Sequence, residues 1–205
     1  MNEKKKTIQS YNNSVVSYQD NTQAIPPEID DFIDYLPVKG SVLDIGCGWG
    51  RDSGYLADHG FKVQGVDLSP AMIRQARQQF EAVEFLVQDF ENLDFPKDSF
   101  DAVWAHASLL HCPKKNLNGV LSSIAKILKP KGVFYLSLKE GVGETISLDE
   151  RYDPPLEKFW SYYQVPELKK VLRKAGFEIL VCKQKPLYNA YQSHPFISLI
   201  CRFVA

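Results

Sequence analysis

A doubly wound α/β fold is what this sequence predicts: a mostly parallel, seven-stranded sheet with helices on both faces and an antiparallel hairpin at its C-terminal end. Three observations carry that expectation. Between residues 38 and 140, short apolar runs alternate with segments of helical periodicity, the rhythm of right-handed βαβ crossovers. The first run, Val42-Leu43-Asp44-Ile45, breaks into Gly46-Cys47-Gly48-Trp49-Gly50 and then into a helical segment that begins at Arg51. After Gly176 the rhythm stops, and two strand-like runs follow one another across a connection that contains proline.

Taken in order, residues 7–23 place Ile8, Tyr11, Val15, Val16 and Tyr18 at roughly helical spacing among polar residues, which suits a mobile N-terminal cover. Pro26-Pro27 breaks the chain, and Glu28 to Leu36 reads as a helix with Ile29, Phe32, Ile33 and Leu36 on one face. Residues 1–36 are thus expected to form a helical cover on a single domain spanning 1–205. The second strand is Phe61 to Asp67, followed by a helix from Pro70 to Phe80 with Ser69 as its cap. Val83 to Val87 and Phe100 to Ala105 are the third and fourth strands, with a polar loop between them. A helix from about Leu117 to Leu128, a turn at Lys129-Pro130-Lys131-Gly132 and a fifth strand from Val133 to Leu138 complete the parallel part. Residues 139–163 are expected to be a substrate-side loop and helix, because apolar periodicity fails from Gly141 to Pro155. Val165 to Ala175 is a helix ended by Gly176, and Phe177 to Gln184 and Ile197 to Val204 make the hairpin.

Composition narrows the partners. The 24 basic and 25 acidic residues leave a net charge of −1, which provides no general attraction to nucleic acid. No apolar run nears the ~20 residues of a membrane span, and the stretch after the N-terminal lysines is too polar for a signal-peptide core. A cytoplasmic protein, monomeric or dimeric, is expected, with no nucleic-acid or membrane partner. Cys47, Cys112, Cys182 and Cys201 are scattered without metal-ligand spacing, so free thiols and no metal are expected.

The glycine turn asks for a ligand at the carboxyl end of the first strand. A P-loop would need Lys after the glycines, and a dinucleotide turn would need G-x-G-x-x-G; here glycines alternate and Arg51 takes the sixth place. Asp44, two residues ahead of the first glycine, would repel a pyrophosphate and attract an ammonium. S-adenosylmethionine carries an ammonium, a ribose and no phosphate. A carboxylate satisfied by local backbone N–H groups is the other reading of Asp44, and the two are compatible.

At this point the sequence resembles the class I S-adenosylmethionine-dependent methyltransferases, the small single-domain kind that modify small molecules. Val42 to Gly50 is similar to the family's first motif and Gly65-Val66-Asp67-Leu68-Ser69-Pro70-Ala71-Met72 to its second. Val87-Gln88-Asp89-Phe90 and Phe100-Asp101-Ala102-Val103 follow as the third and fourth, and Leu128-Lys129-Pro130-Lys131-Gly132 as the fifth. The resemblance implies the class I methyltransferase fold and S-adenosyl-L-methionine as cofactor. It implies that Gly46, Gly48, Gly50 and Arg51 form the turn that binds the cofactor, that Asp44 meets the amine, and that Asp67 accepts from the ribose hydroxyls. Leu68 and Met72 would pack on adenine, Gln88, Asp89 and Phe90 would recognise its edge, and Ala105 and His106 would line the methionyl end. Tyr18, and Tyr11 with it, either close over the cofactor or pack on the surface.

Methyl transfer to an O, N or S atom of a small molecule is the expected reaction, an in-line displacement that needs a base only for a protonated nucleophile. His111 is the first candidate base and His106 the second; a structural histidine is the other reading of His111. The residues after the fourth strand, Ala105-His106-Ala107-Ser108, lack the Pro-Pro signature of amino-group methylation, and Asp153-Pro154-Pro155 lies in the wrong place for it. Arg151, Tyr152, Phe159, Tyr162 and Tyr163 would wall the substrate site, and Arg151 points to an anionic substrate. Two further readings stay open: a cofactor-binding partner protein without turnover, and a nicotinamide-dependent oxidoreductase.

Overall fold

The computed structural model describes residues 3–150, 152, 155–186 and 194–204. Two helices, α1 (Glu3–Asn13) and α2 (Val15–Asn21), precede α3 (Glu28–Ile33). The alternating core follows: β1 (Ser41–Ile45), α4 (Arg51–Asp58), β2 (Lys62–Asp67), α5 (Pro70–Gln79), β3 (Glu84–Val87), β4 (Phe100–His106), α6 (Lys114–Ile127) and β5 (Leu128–Lys139). Then come β6 (Glu144–Asp149), β7 (Leu156–Ser161), α7 (Val165–Lys174), β8 (Phe177–Lys185) and β9 (Phe196–Phe203). Seven strands form one sheet in the order β3-β2-β1-β4-β5-β9-β8, parallel through β5 and antiparallel for β9 and β8. The predicted fold is therefore observed, with the last strand seated inside the sheet and β8 at its edge.

Strand alternation divides the core between two faces. Val42, Ala102, Trp104 and Tyr135 point to one side, where Ile29 and Phe32 of α3, Leu56 of α4 and Ile73 of α5 pack on them. Leu43, Val103, Ala105, Phe134 and Leu136 point to the other, against Leu117, Leu121 and Ile124 of α6 and Leu168 and Leu172 of α7. The order reverses between β1 and β4, so the carboxyl ends of those strands open a crevice at the switch point. Helix starts follow local chemistry. Ser69 Oγ accepts from Met72 N at 3.2 Å ahead of Pro70, the cap that the sequence predicts.

Several elements differ from expectation. The N-terminal helix is broken at Ser14, where φ is −123°. The turn at Lys129–Gly132 is a bulge inside β5. Leu128 already pairs with Phe100, Lys131 takes φ 65°, and regular pairing resumes at Val133 with Ala102. The loop and helix expected over residues 139–163 are instead a two-stranded antiparallel sheet of β6 and β7. Thr145-Ile146-Ser147-Leu148 alternates with period two, and Phe159-Trp160 supplies β-prone aromatics, so the strands had a signal that the failed helical period masked. All four cysteines are free thiols. No helix among the described residues is long and apolar enough to cross a membrane.

Candidate functional site

Two cavities meet above the carboxyl ends of the central strands. The smaller, about 70 Å³, is lined by Gly46, Gly48, Asp67, Leu68, Met72, Gln88 and Phe90. The larger is a cleft of about 1060 Å³ that reaches from Asp44 and Asp52 to Lys139 and Phe196. Tyr11, Tyr18, Gly46, Ala107 and His111 line both. A group passed from one cavity to the other would cross at those five residues.

The glycine turn has two jobs. Gly46 has φ 72°, and a Cβ there would lie 2.3 Å from Ser108 Cβ, so the turn can close on β4 only without a side chain. Gly48 has φ 56°, but its missing Cβ faces Tyr18 Cε1 at 3.5 Å across the cavity. That bareness leaves room for a ligand against the backbone. Gly50, at φ 89°, precedes α4 and packs toward Phe80 and Phe85; it lines neither cavity, contrary to the ligand-side role expected for it.

Asp67 ends β2 with Oδ2 accepting from Gly48 N at 3.0 Å and Oδ1 from Ser69 N at 2.7 Å. Burial pushes its carboxyl above the ordinary range, and those backbone N–H groups pull it back. Asp67 also lines the small cavity. Asp44, at the end of β1, accepts from Ser53 Oγ at 2.6 Å and is 2% exposed. Burial, with Asp52 close by, pushes Asp44 up to about 8. Burial would raise Asp52 as well, but the Arg51 guanidinium, 2.6 Å away, outweighs it and holds Asp52 low. The two carboxyls thus share one negative charge, and Asp44 keeps a proton until a cation arrives. Arg51 also donates to Thr22 O at 2.9 Å, which ties α4 to the end of α2.

Gln88 and Phe90 reach the small cavity as expected. Asp89 does not: its Oδ1 accepts from Glu91 N at 2.9 Å and its Oδ2 pairs with Lys4, so it caps the turn after β3 and anchors α1. Ala105 is also displaced from its expected role. Strand alternation sends it into the α6 face with no exposure, and Ala107, at φ 50° just beyond the strand, takes the lining position. Among the described residues nothing hydrogen-bonds the buried Gln88 Oε1 or Ser108 Oγ, both in the small cavity. Buried acceptors without partners ask for a ligand donor. An adenine amino group and a ribose hydroxyl supply such donors, and Leu68, Met72 and Phe90 supply apolar faces, so the residues fit an adenosyl group.

The imidazoles differ. His106 stacks on Trp104 with its Nδ1 3.7 Å from Asp52 Oδ2, and burial lowers it to about 4 despite that acid. His111 Nδ1 lies 2.6 Å from the Phe159 carbonyl oxygen, which only accepts, so Nδ1 carries the proton. Its Nε2 then accepts from Tyr11 Oη at 2.8 Å. Burial, with Lys158 and Lys139 nearby, lowers His111 to about 3. Both nitrogens are committed, which argues for an orienting role over a free base.

The sequence pointed to an N-terminal cover but gave no sign of the contacts that anchor it. Tyr11 and Tyr18 meet edge to face at 5.4 Å over the small cavity. Thr7 Oγ1 accepts from Phe159 N at 3.0 Å, Ser10 Oγ donates to Glu157 O at 2.8 Å, and Asn12 Oδ1 accepts from Ser69 Oγ at 2.7 Å. Lys158 is fully buried, 2.9 Å from Asp149, with the Tyr11 and Tyr152 rings 4.4 Å away. Of the expected wall, Tyr152, Phe159 and Tyr163 are buried and do not line the cleft, whereas Tyr162 does. Arg151 lies outside the described residues.

The crevice, the glycine turn and the paired strand-end carboxyls define the class I methyltransferase fold. Residues 42–132 match the family model described as a methyltransferase domain. Those residues form a class I S-adenosylmethionine-dependent methyltransferase domain, whose cofactor is S-adenosyl-L-methionine. It is 35% identical over 109 residues to the 2-methyl-6-phytyl-1,4-hydroquinone methyltransferase of Synechocystis, covering 51% of this chain and 34% of that one. A methyltransferase structure from Methanosarcina mazei superposes with a TM-score of 0.77 at 24% identity, over 88% of this chain and 98% of that one. The 1,6-didemethyltoxoflavin-N1-methyltransferase of Burkholderia thailandensis, solved with its substrate and S-adenosylhomocysteine, gives 0.75 at 24% identity, over 97% and 85%. This chain spans between 34% and 52% of the length of the first curated relatives it matches.

Proposed function

We propose that this protein transfers a methyl group from S-adenosylmethionine to an O, N or S atom of a small molecule. The observation that carries the reading is the meeting of two cavities of different character at Tyr11, Tyr18, Gly46, Ala107 and His111. One side suits an adenosyl group and the other has room for a separate molecule. When bound, the cofactor would supply a methyl group on a sulfonium, already activated for displacement.

The chain's own work is then positioning and exclusion of water. Asp44 would give up its proton and hold the cofactor's amine, and Asp67 would take the ribose hydroxyls. Gln88 Oε1 would accept from the adenine edge, with Leu68, Met72 and Phe90 on its faces. Gly48 lets the backbone approach closely. The Tyr11 and Tyr18 rings lie beside the crossing point, where an electron-rich ring face turned to the cofactor would favour positive charge. His111, protonated on Nδ1, fixes the Tyr11 hydroxyl. Helices α1 and α2 keep bulk water from the crossing. The small cavity, at about 70 Å³, is well below the ~300 Å³ usual for a ligand site, so this cover must shift to admit an adenosyl group.

The test is turnover: purified protein, S-adenosylmethionine and a panel of small metabolites, with S-adenosylhomocysteine quantified by mass spectrometry. Acceptor-dependent formation of that product is expected. Tight binding of the cofactor with no turnover on any acceptor would favour the partner-protein reading instead.

A further inference from the structure

Where the cleft meets β4 and β5 it is built on stacked rings. Trp104 and Tyr135 stack at 3.9 Å, and His106 lies nearly parallel to them, its centroid 5.8 and 6.3 Å away. His106 and Tyr135 line the cleft, and Leu110, Trp160, Tyr162 and Phe196 add apolar surface to it. The charged groups that border the same space are held by others. Asp52 pairs with Arg51 at 2.6 Å, Asp149 with Lys158 at 2.9 Å, and Lys185 with Glu28. Lys139 sits over the Trp160 ring, 3.5 Å from its centroid, and Glu150 is exposed to solvent. Asp44 keeps its proton in the ligand-free chain and meets the cofactor's amine in the reading above. No one sign of charge dominates this lining, so it suits a flat, uncharged body.

His106 has a hydrogen bond to offer such a body. Asp52 accepts from Trp104 Nε1 at 2.9 Å and from Arg51 Nε at 2.6 Å, and stays ionised. Its Oδ2 lies 3.7 Å from His106 Nδ1, so the imidazole proton is favoured on Nδ1 and Nε2 is left as an acceptor. Among the described residues Nε2 makes no hydrogen bond. Burial outweighs Asp52 and keeps the ring neutral. The buried Tyr135 hydroxyl, beside the Ser137 and Ser198 side chains, is in hydrogen-bond geometry with no group among the described residues. His106 directly precedes Ala107, which lines both cavities, so a molecule held by this imidazole lies beside the crossing. Resting on the methyltransferase reading above, we propose that the methyl acceptor is a neutral, flat aromatic molecule with an N–H or O–H group, and that His106 Nε2 selects it by accepting that hydrogen bond. A molecule without the donor leaves Nε2 unpaired, and a charged one loses hydration beside buried ions that already hold partners.

The test uses the full chain saturated with S-adenosylhomocysteine, labelled with 15N in its histidines. Phenol and indole are titrated by NMR beside their donor-blocked analogues, anisole and 1-methylindole, and beside benzoate and benzylamine. Phenol and indole should bind about fivefold or more tightly than the blocked and the charged compounds. The His106 Nε2 signal, assigned by its loss in His106→Phe, should be that of an unprotonated nitrogen and should shift with phenol but not with anisole. His106→Phe should erase the preference for donors and leave S-adenosylhomocysteine affinity unchanged. His106→Gln, which keeps an acceptor, should retain part of that preference, and it carries the comparison if the Phe variant does not fold. Equal binding of phenol and anisole would overturn the proposal, as would tighter binding of a charged probe, no binding of either donor, or a protonated Nε2. Loss of S-adenosylhomocysteine affinity in the His106 variants would also overturn it, by assigning the imidazole to the cofactor. Failure of S-adenosylhomocysteine to bind the wild-type chain would instead sink the methyltransferase reading.

Discussion

The floor of the small cavity comes from strand ends and the turns that directly follow them: Gly46 and Gly48 after β1, Asp67 and Leu68 at β2, Gln88 and Phe90 after β3, while Lys4, Thr7, Ile8, Tyr11 and Tyr18 of α1 and α2 cover it. That cover, which also borders the large cleft, is held by parts far apart in the chain. Tyr11 meets His111 across 100 positions, and Thr7 meets Phe159 across 152. The floor rests on the sheet, whereas the cover depends on how α1 and β7 dock. The difference teaches that the floor of the small cavity is a local property of this fold and its cover a tertiary one.

The sharpest way to break that comparison lies in the glycine turn. Gly46→Val should cost about 2–4 kcal/mol of stability, because it adds overpacking on Ser108 to a left-handed backbone. Gly48→Val should leave thermal stability closer to wild type and abolish S-adenosylhomocysteine binding, since its side chain would enter open cavity. Equal effects of the two on melting temperature would show that both glycines serve only the turn.

Asp67→Ala should weaken S-adenosylhomocysteine by about 1.5–3 kcal/mol, the size of lost hydrogen bonds to a charged group. Calorimetry that finds unchanged affinity would remove the ribose from β2.

A smaller effect concerns Asp44, whose carboxyl keeps its proton up to about pH 8 in the ligand-free chain. An ammonium beside it favours the anion, so binding expels that proton at neutral pH. The sign follows: affinity should fall as pH drops below about 8, by up to tenfold per unit, or about 1.4 kcal/mol, until the bound-state pKa is reached. Asp44→Asn should flatten this slope and, by removing a buried acid, raise the ligand-free melting temperature at pH 8. A pH-independent wild-type affinity between 6 and 8 would contradict the pairing. Least of all, Tyr11→Phe should cost about 0.5–1.5 kcal/mol in closure of α1, read as faster proteolysis of the N-terminal helices. An unchanged cleavage rate would mean that the Tyr11–His111 contact does not hold the cover.

What the sequence made legible follows the same division. Asp44, Gly46, Gly48, Asp67 and Gln88 were readable because strand–turn–helix units fix their positions within a few residues, and alternation tells which face each strand residue takes. That alternation would also have placed Ala105 in the core and His106 in the cleft; the error there was one of register. Lys158 had no local signal, since a lysine in a strand is ordinary until Asp149 and the rings of Tyr11 and Tyr152 are folded around it. Asp89 was misassigned because its partner, Lys4, lies 85 positions away. The hairpin of β6 and β7 was hidden by shortness, where helix and strand periods are hard to distinguish.

Thermal unfolding of the purified chain with saturating S-adenosylhomocysteine, beside the same experiment with NAD, tests the central claim most directly. A ligand at 100 times its Kd adds about 2.7 kcal/mol to the native state. The acidic crevice should give a clear rise in melting temperature with S-adenosylhomocysteine and none with NAD. Stabilisation by NAD alone would mean that the carboxyls at the ends of β1 and β2 serve a phosphate-bearing ligand, against everything their charge implies.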